Sequence, residues 1–480
     1  MRIGDCMDLK GSNVLFIIHD LYQDDNHFPL GIGYLSAVLK NEGAHIDVYC
    51  MDIFHYSNNE LSEMLKVNSY DLICVGFLAA RFKETVLDLC KVITTHKKSA
   101  WLILGGHGPS PIPEYILDKT QADVVVIGEG EDTLPEILKC KLVGGDLSKI
   151  HGIAFKDDGV LQTTGRRKPV HTLDSLPFPE WTLFPMEEYI SCLKLFRYEP
   201  QDRCFGILTS RGCINRCNFC YRMEKGIRFR SIKNVIEEIS ILNERYGVNY
   251  FLMNDELFVY PKKRIFEFRD ELQKTDIKIK FVCNARVDVF DKEVASCLKE
   301  AGCQFLNFGM ESSDQNVLDL MHKNTSVEEN IHAAEIAKTA KIGLGLNFIW
   351  GNLGDTEASL KNNAALIKKY TTYDYIRTIR PVTPYPGCDL YYYAIEKGLL
   401  KGPDDFFERF SNSDLMMVNF MEIPEKRVYE LLFEVNKDLI LDYYAHTSKD
   451  ENAANKLIEE FRKLYFEGAS TFRGARHYKK

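Results

Sequence analysis

The stretch Thr209-Ser210-Arg211-Gly212-Cys213-Ile214-Asn215-Arg216-Cys217-Asn218-Phe219-Cys220-Tyr221 decides the reading of this chain. Its cysteines follow the spacing CxxxCxxC, and Gly212 lets the segment turn sharply into a loop. Three thiolates on one loop can hold three irons of a cubane cluster. With no fourth cysteine, one iron stays open to chelation by a small molecule, the logic of an open catalytic metal site. Zinc is the competing reading, but zinc sites favour paired CxxC hooks and four ligands. There is no second hook here, and Cys204, the candidate fourth ligand, opens an apolar strand nine residues upstream. The spacing therefore favours iron and sulfide over zinc.

Outward from this loop the chain alternates strands and helices. Downstream, apolar runs at 204–209, 249–253, 278–283, 304–309, 343–350 and 373–379 are each followed by a helical pattern. Six such units predict a partial TIM-like (β/α)6 barrel, with its chemistry on the loops that follow the strands. Upstream, five short apolar runs at 13–18, 45–50, 71–76, 101–104 and 123–127 alternate with helical stretches. That pattern predicts an α/β, doubly wound, Rossmann-like domain with ligands at the carboxyl ends of its strands. Between the two halves, Pro177, Pro179 and Pro185 mark an irregular linker with a small hairpin around Ile153–Gln162. The expected organisation is residues 1–142, a linker at 143–200, the barrel at 201–400 and a helical C-terminal region at 401–480.

The composition agrees with a globular chain of 480 residues, 45 % hydrophobic and 27 % charged. A net charge of −9 argues against nucleic acid held by bulk charge. No apolar run reaches the roughly 18 residues of a membrane helix, and Met1–Cys6 lacks the apolar core of a signal peptide. A cytoplasmic location is expected. Of the fourteen cysteines, those standing singly in apolar runs, such as Cys50, Cys74, Cys90, Cys140, Cys283 and Cys297, read as small core residues.

The cysteine loop at the head of a six-unit βα series resembles the radical S-adenosylmethionine (SAM) enzymes. Later segments extend the likeness. Met253-Asn254-Asp255-Glu256 follows the second strand and Asn284-Ala285-Arg286 the third; Phe308-Gly309-Met310-Glu311-Ser312 ends the fourth. Gly351-Asn352-Leu353-Gly354-Asp355-Thr356 is similar to the family's G-x-P-G-E-T turn, with Leu for Pro and Asp for Glu, and Thr383-Pro384-Tyr385-Pro386-Gly387-Cys388 resembles its P-x-P-G-T element. The resemblance implies a 4Fe–4S cluster on Cys213, Cys217 and Cys220. It also implies contacts with that cluster or with SAM from Phe219, Asp255, Asn284, Arg286, Glu311 and Gly351. One electron from the cluster would cleave SAM to a 5′-deoxyadenosyl radical. That step needs no ordinary acid–base pair, so no catalytic side chain is assigned.

In the N-terminal half, Pro29-Leu30-Gly31-Ile32-Gly33-Tyr34-Leu35, Gly105-Gly106-His107 and Gly128-Glu129-Gly130-Glu131 follow three strands at one sheet edge. With the linker Leu176-Pro177-Phe178-Pro179-Glu180-Trp181 they resemble the cobalamin-binding domain of the cobalamin-dependent radical SAM class. The likeness implies that Leu30, Gly31, Gly105, Gly106, His107, Gly128 and Glu129 border the corrinoid. Asp25-Asn26-His27-Phe28-Pro29-Leu30 approaches the Asp-x-His-x-x-Gly cobalt-ligand motif but carries Leu in place of Gly. The expectation is no ligation by His27, with Leu78 or Arg81 facing the lower side of cobalt.

The function implied is methylation of an unactivated carbon through methylcobalamin. Alternatives within reach are a cyclase, oxidase or rearrangement on the same cofactors, a methylthiotransferase, or a non-enzymatic cobalamin sensor or carrier. The expected partners are a small-molecule, lipid or peptide substrate and an electron donor such as flavodoxin or ferredoxin.

Overall fold

A computed structural model describes residues 9–21, 26–447 and 451–468. The chain forms two compact units, one ending at Leu193 and the other beginning at Lys194.

The first unit is built on strands β1 (Asn13–Ile18), β2 (His45–Cys50), β3 (Leu72–Gly76), β4 (Trp101–Gly105) and β5 (Val124–Val126), all parallel. β1 is buried at every position but Asn13, as a strand covered on both faces must be. A hairpin of β6 (Ile153–Asp157) and β7 (Val160–Thr163) adds to β5 antiparallel, so the turn expected at Ile153–Gln162 extends the sheet. The strand order is β2-β1-β3-β4-β5-β6-β7. It reverses at β1, which opens a crevice outside the carboxyl ends of β1 and β3.

The second unit holds a six-stranded parallel sheet that forms a half-barrel: β8 (Cys204–Ile207), β11 (Tyr250–Met253), β12 (Lys280–Ala285), β13 (Cys303–Glu311), β14 (Gly343–Trp350) and β15 (Arg380–Pro381). A separate antiparallel pair, β9 (Ser210–Cys213) and β10 (Gly226–Phe229), frames the cysteine loop. Helices start where capping demands. Ser231 accepts from Asn234 N–H before helix Ile232–Tyr246, and Thr356 and Ser359 form a capping box before helix Glu357–Tyr370.

One strand needs correction. The sixth strand, expected at 373–379, is only Arg380–Pro381. The backbone of Ile379 is taken by a helix side chain instead: Asn436 Oδ1 accepts from Ile379 N–H (2.8 Å) and Asn436 Nδ2 donates to Ile379 C=O (3.0 Å). Arg377 crosses the sheet face, donating to Asn347 and Asn307 at 3.0 Å each. Its guanidinium lies where a side chain at Gly345 would stand, 2.3 Å from the position of a Cβ there. Asn436 belongs to helix Glu425–Thr447, which with helix Glu451–Phe466 makes the C-terminal region. Among the described residues no helix is long and apolar enough to cross a membrane. Met1–Cys6, Asp25 of the ligand-like motif and the basic end Arg473–Lys480 lie outside the described residues.

Candidate radical SAM and cobalamin sites

The cysteine loop leaves β9 and returns through β10, and Cys213 pairs with Gly226 at the loop end of that ladder. Gly212 has φ +87°, and a Cβ there would lie 2.3 Å from Gly226 C=O, so only glycine closes this hairpin. The junction feeding the loop is held from several sides. The fully buried Asp255 carboxylate accepts from Thr209 N–H (3.1 and 3.2 Å), Thr209 Oγ1 (2.9 Å) and Ser210 Oγ. Glu256 accepts from Gly212 N–H (2.6 Å). Arg230 donates to Leu208 C=O (2.7 Å) and Arg264 to Thr209 C=O (3.1 Å). Burial raises the Asp255 pKa, against the pull of the Ser210 and Thr209 bonds. Its carboxylate thus faces the strand–loop junction, and Asp255 caps no helix.

The far side of the loop is anchored through Asn218. Its N–H donates to Met321 C=O (2.9 Å), its Nδ2 to Leu320 C=O (3.0 Å), its Oδ1 accepts from Asn352 Nδ2 (3.1 Å), and its C=O accepts from Leu390 N–H (2.8 Å). Asn352 belongs to the turn after β14. There Asp355 accepts from Gly351 N–H and Asn352 N–H (3.0 Å each) and from Ser359 Oγ (2.7 Å). Burial pushes Asp355 up to about 7. Gly351 adopts φ +95°, which the turn requires.

Cys217 is buried, Cys213 half-buried and Cys220 exposed. Burial raises the Cys217 pKa above that of a free thiol, so a metal must displace its proton. Around it lie Arg286, Lys323 and Glu311. Arg286 pairs with Asp288 (3.0 and 3.1 Å) and donates to Lys323 and Asn324 carbonyls (3.1 Å each). With the Asn215 amide oriented to satisfy both partners, its oxygen accepts from Arg286 Nε and Nη1 at 3.2 Å. Lys323 Nζ donates to Glu311 Oε1 at 2.8 Å. Asn284 is exposed and donates to Asp255 C=O (3.1 Å), and Phe219 is half-buried in the loop. Among the described residues no three His, Cys, Asp or Glu side chains converge on a single-ion site. Cys204 stays fully buried inside β8.

In the first unit, the turns after β3, β4 and β5 meet at one edge. Gly106 (φ +96°) and Gly108 pack against Phe77, where a Cβ on Gly108 would sit 2.8 Å from the Phe77 carbonyl. Ser110 Oγ donates to Gly106 C=O (2.8 Å) and accepts from Gly128 N–H (3.3 Å), tying two of the turns together. Leu78 is 61 % exposed beside the crevice and opens the turn that Arg81 closes, Arg81 N–H donating to Leu78 C=O (2.9 Å). His107 and His27 are exposed, and a Cβ on Gly31 would meet open space. Gly105 pairs with Gly76, and Leu30 begins helix Leu30–Asn41. Glu129 turns instead to the linker, accepting from Val170 N–H (2.8 Å). His19, at the end of β1, is buried and lowered to about 4 by that burial and by Arg81.

Comparison with known proteins matches two family models side by side: the B12 binding domain over residues 23–138 and the radical SAM superfamily over residues 207–367. The chain belongs to the cobalamin-dependent radical SAM enzymes. Among curated relatives of this radical SAM enzyme is an uncharacterized methyltransferase of Pyrococcus horikoshii, 29 % identical over 382 residues that make up 78 % of this chain and 79 % of the relative. The anaerobic magnesium-protoporphyrin IX monomethyl ester cyclase of Rubrivivax gelatinosus is 28 % identical over 76 % of this chain and 65 % of its own length. The cytidylyl-2-hydroxyethylphosphonate methyltransferase of Streptomyces wedmorensis is 23 % identical over 86 % of both chains. Two solved structures share the fold. The methyltransferase TsrM of Kitasatospora setae, with cobalamin and a [4Fe–4S] cluster, has TM-score 0.65, 17 % identity, and covers 80 % of this chain and 75 % of its own. OxsB with aqua-cobalamin has TM-score 0.66, 20 % identity, and covers 88 % and 61 %.

The cofactors of this radical SAM enzyme are therefore a 4Fe–4S cluster, SAM and cobalamin. The donor chemistry fits: three cysteines on a braced loop suit three irons, and glycine turns at the switch-point edge let a large ring approach the backbone. Glu256, Asn218, Asn352 and Lys323 hold the loop or surround it and were not singled out from the sequence. The first three lie in segments whose motif spacing is visible, but their hydrogen bonds join positions 44 to 134 residues apart. Lys323 has no local signal at all.

Proposed function

We propose that this enzyme methylates an unactivated carbon of its substrate. The observation that carries the reading is the pairing, in one chain, of the braced CxxxCxxC half-barrel with a glycine-edged B12-binding sheet. When bound, the cluster supplies one electron to cleave SAM, and cobalamin carries the methyl group. Cys213, Cys217 and Cys220 hold the cluster in this reading. Asp255 and Glu256 fix the entry to their loop, and Asn218 with Asn352 fixes its exit. Asn284, Phe219, Gly351 and Arg286 border the SAM side. Leu78 would offer an apolar rest for the corrin, and burial, helped by Arg81, keeps the neighbouring His19 neutral. Gly105, Gly106, His107, Gly128, Gly31 and Leu30 line the rim, while Glu129 holds the linker against it.

Relatives named as methyltransferases support this outcome, and relatives named as cyclases support a second one on the same cofactors. A methylthiotransferase would need a second cysteine triad. Cys50 and Cys74 are buried in β2 and β3, and Cys6 lies outside the described residues. The substrate is a small molecule, lipid or peptide, and the electron comes from a flavodoxin- or ferredoxin-type donor. Anaerobically reconstituted protein with methyl-labelled SAM tests the reading. Methylation yields 5′-deoxyadenosine and S-adenosylhomocysteine with label in the product. Cyclisation yields 5′-deoxyadenosine and no labelled product.

A further inference from the structure

A buried ion pair stands beside the cysteine loop, and stability does not explain it. Desolvating two charges commonly costs as much as their attraction returns. Lys323 and Glu311 are 6 % and 8 % exposed and bonded at 2.8 Å. The pair has a built seat. A bulge in β13 between Gly309 and Glu311 turns Glu311 into φ +62°. Gly309 makes room for both partners: a Cβ there would lie 2.5 Å from Glu311 Oε1 and 3.0 Å from Lys323 Nζ. The segment carrying Lys323 is locked to the loop by the two bonds from Asn218, the neighbour of Cys217, to Leu320 and Met321.

Arg286, the other cation here, is matched by Asp288 two residues away on its own turn. Reduction of a cluster on this loop adds one electron from an external donor and takes up no proton, so one more negative charge appears beside the buried pair. Fixed charges nearby then shift the equilibrium in proportion to their sign.

We propose that Lys323 and Glu311 are a pair of opposed charges that sets the reduction potential of the cluster, the ammonium favouring the reduced state and the carboxylate opposing it. The inference rests on the reading that the loop holds that cluster. Both are positioning residues, acting through the cluster and not on the substrate.

The test is a potentiometric titration with dithionite of the anaerobically reconstituted full chain, without SAM, followed by electron paramagnetic resonance of the reduced cluster. Lys323→Met is expected to lower the midpoint potential and Glu311→Gln to raise it. The double variant, which removes both charges, returns toward wild type, and Lys323→Arg stays near it. Shifts of the two single variants in the same direction, or no shift in variants that retain full iron, overturn the proposal. If Lys323→Met fails to hold iron, the comparison of Glu311→Gln with the double variant decides by the same signs. Wild-type protein that takes up no iron–sulfur cluster would instead overturn the cluster reading itself.

Discussion

Replacing Asp255 by alanine tests whether the cysteine loop is held as described. The carboxylate is fully buried and accepts from one backbone N–H and two hydroxyls. The hydroxyls can rotate toward other acceptors, but the Thr209 N–H is fixed by the backbone that joins β8 to β9. Leaving a buried N–H unsatisfied costs about 1–3 kcal/mol, and each lost hydroxyl bond about 0.5–1.5 kcal/mol. Relief of the buried carboxylate's own desolvation offsets part of this, leaving a net loss of roughly 2–4 kcal/mol. That is a large fraction of a typical domain's stability of about 5–15 kcal/mol. Urea unfolding should therefore move to lower denaturant, and iron retained after anaerobic reconstitution should fall. A variant that unfolds like wild type and keeps its iron, but loses SAM affinity, would refute the clamp and make Asp255 a direct SAM contact.

Other perturbations follow from the same geometry. Gly212→Ala places a methyl 2.3 Å from the Gly226 carbonyl at a positive φ, and should abolish cluster assembly while the far-ultraviolet circular dichroism of the rest of the chain persists. Asn436→Leu leaves both polar groups of Ile379 unpaired, and should cost about 2–4 kcal/mol in denaturant unfolding. Asp52 in the first unit is bonded by Tyr189 Oη (2.8 Å) and pushed up to about 7, chiefly by burial. A carboxyl whose folded pKa is raised favours the fold below its unfolded pKa near 3.8 and loses that contribution as pH rises to about 7. The swing is at most about 4 kcal/mol, and Asp52→Asn should flatten the stability–pH curve between those limits.

Much of the fold was legible because its signals are local. The apolar runs at 13–18, 45–50 and 343–350 are the strands β1, β2 and β14. β1 and β14 are largely buried on both faces, which leaves them a continuous apolar run, whereas the edge strand β2 buries only Ile46 and Cys50. The segment 373–379 misled because its apolar and aromatic residues read as a strand, while Asn436, far along the chain, competes for the Ile379 backbone and Gly345 admits Arg377 across the sheet. The spacing of the cysteines was visible in the sequence itself. The residues that brace them were not, since Asp255, Asn218 and Asn352 act through bonds between distant loops, and a polar residue after a strand carries no mark of which loop it will meet. The Lys323–Glu311 pair depends on a bulge and a missing side chain at Gly309, neither of which leaves a periodic trace.

The account turns on whether the trio Cys213, Cys217 and Cys220 binds a cluster that breaks SAM. Anaerobic reconstitution with iron and sulfide, followed by metal analysis and a SAM-cleavage assay, addresses this most directly. About four irons and four sulfides per chain, a reduced-state resonance that changes when SAM is added, and 5′-deoxyadenosine formation lost in Cys217→Ala are the predicted results. One zinc per chain, or 5′-deoxyadenosine formed undiminished by Cys217→Ala, would contradict it.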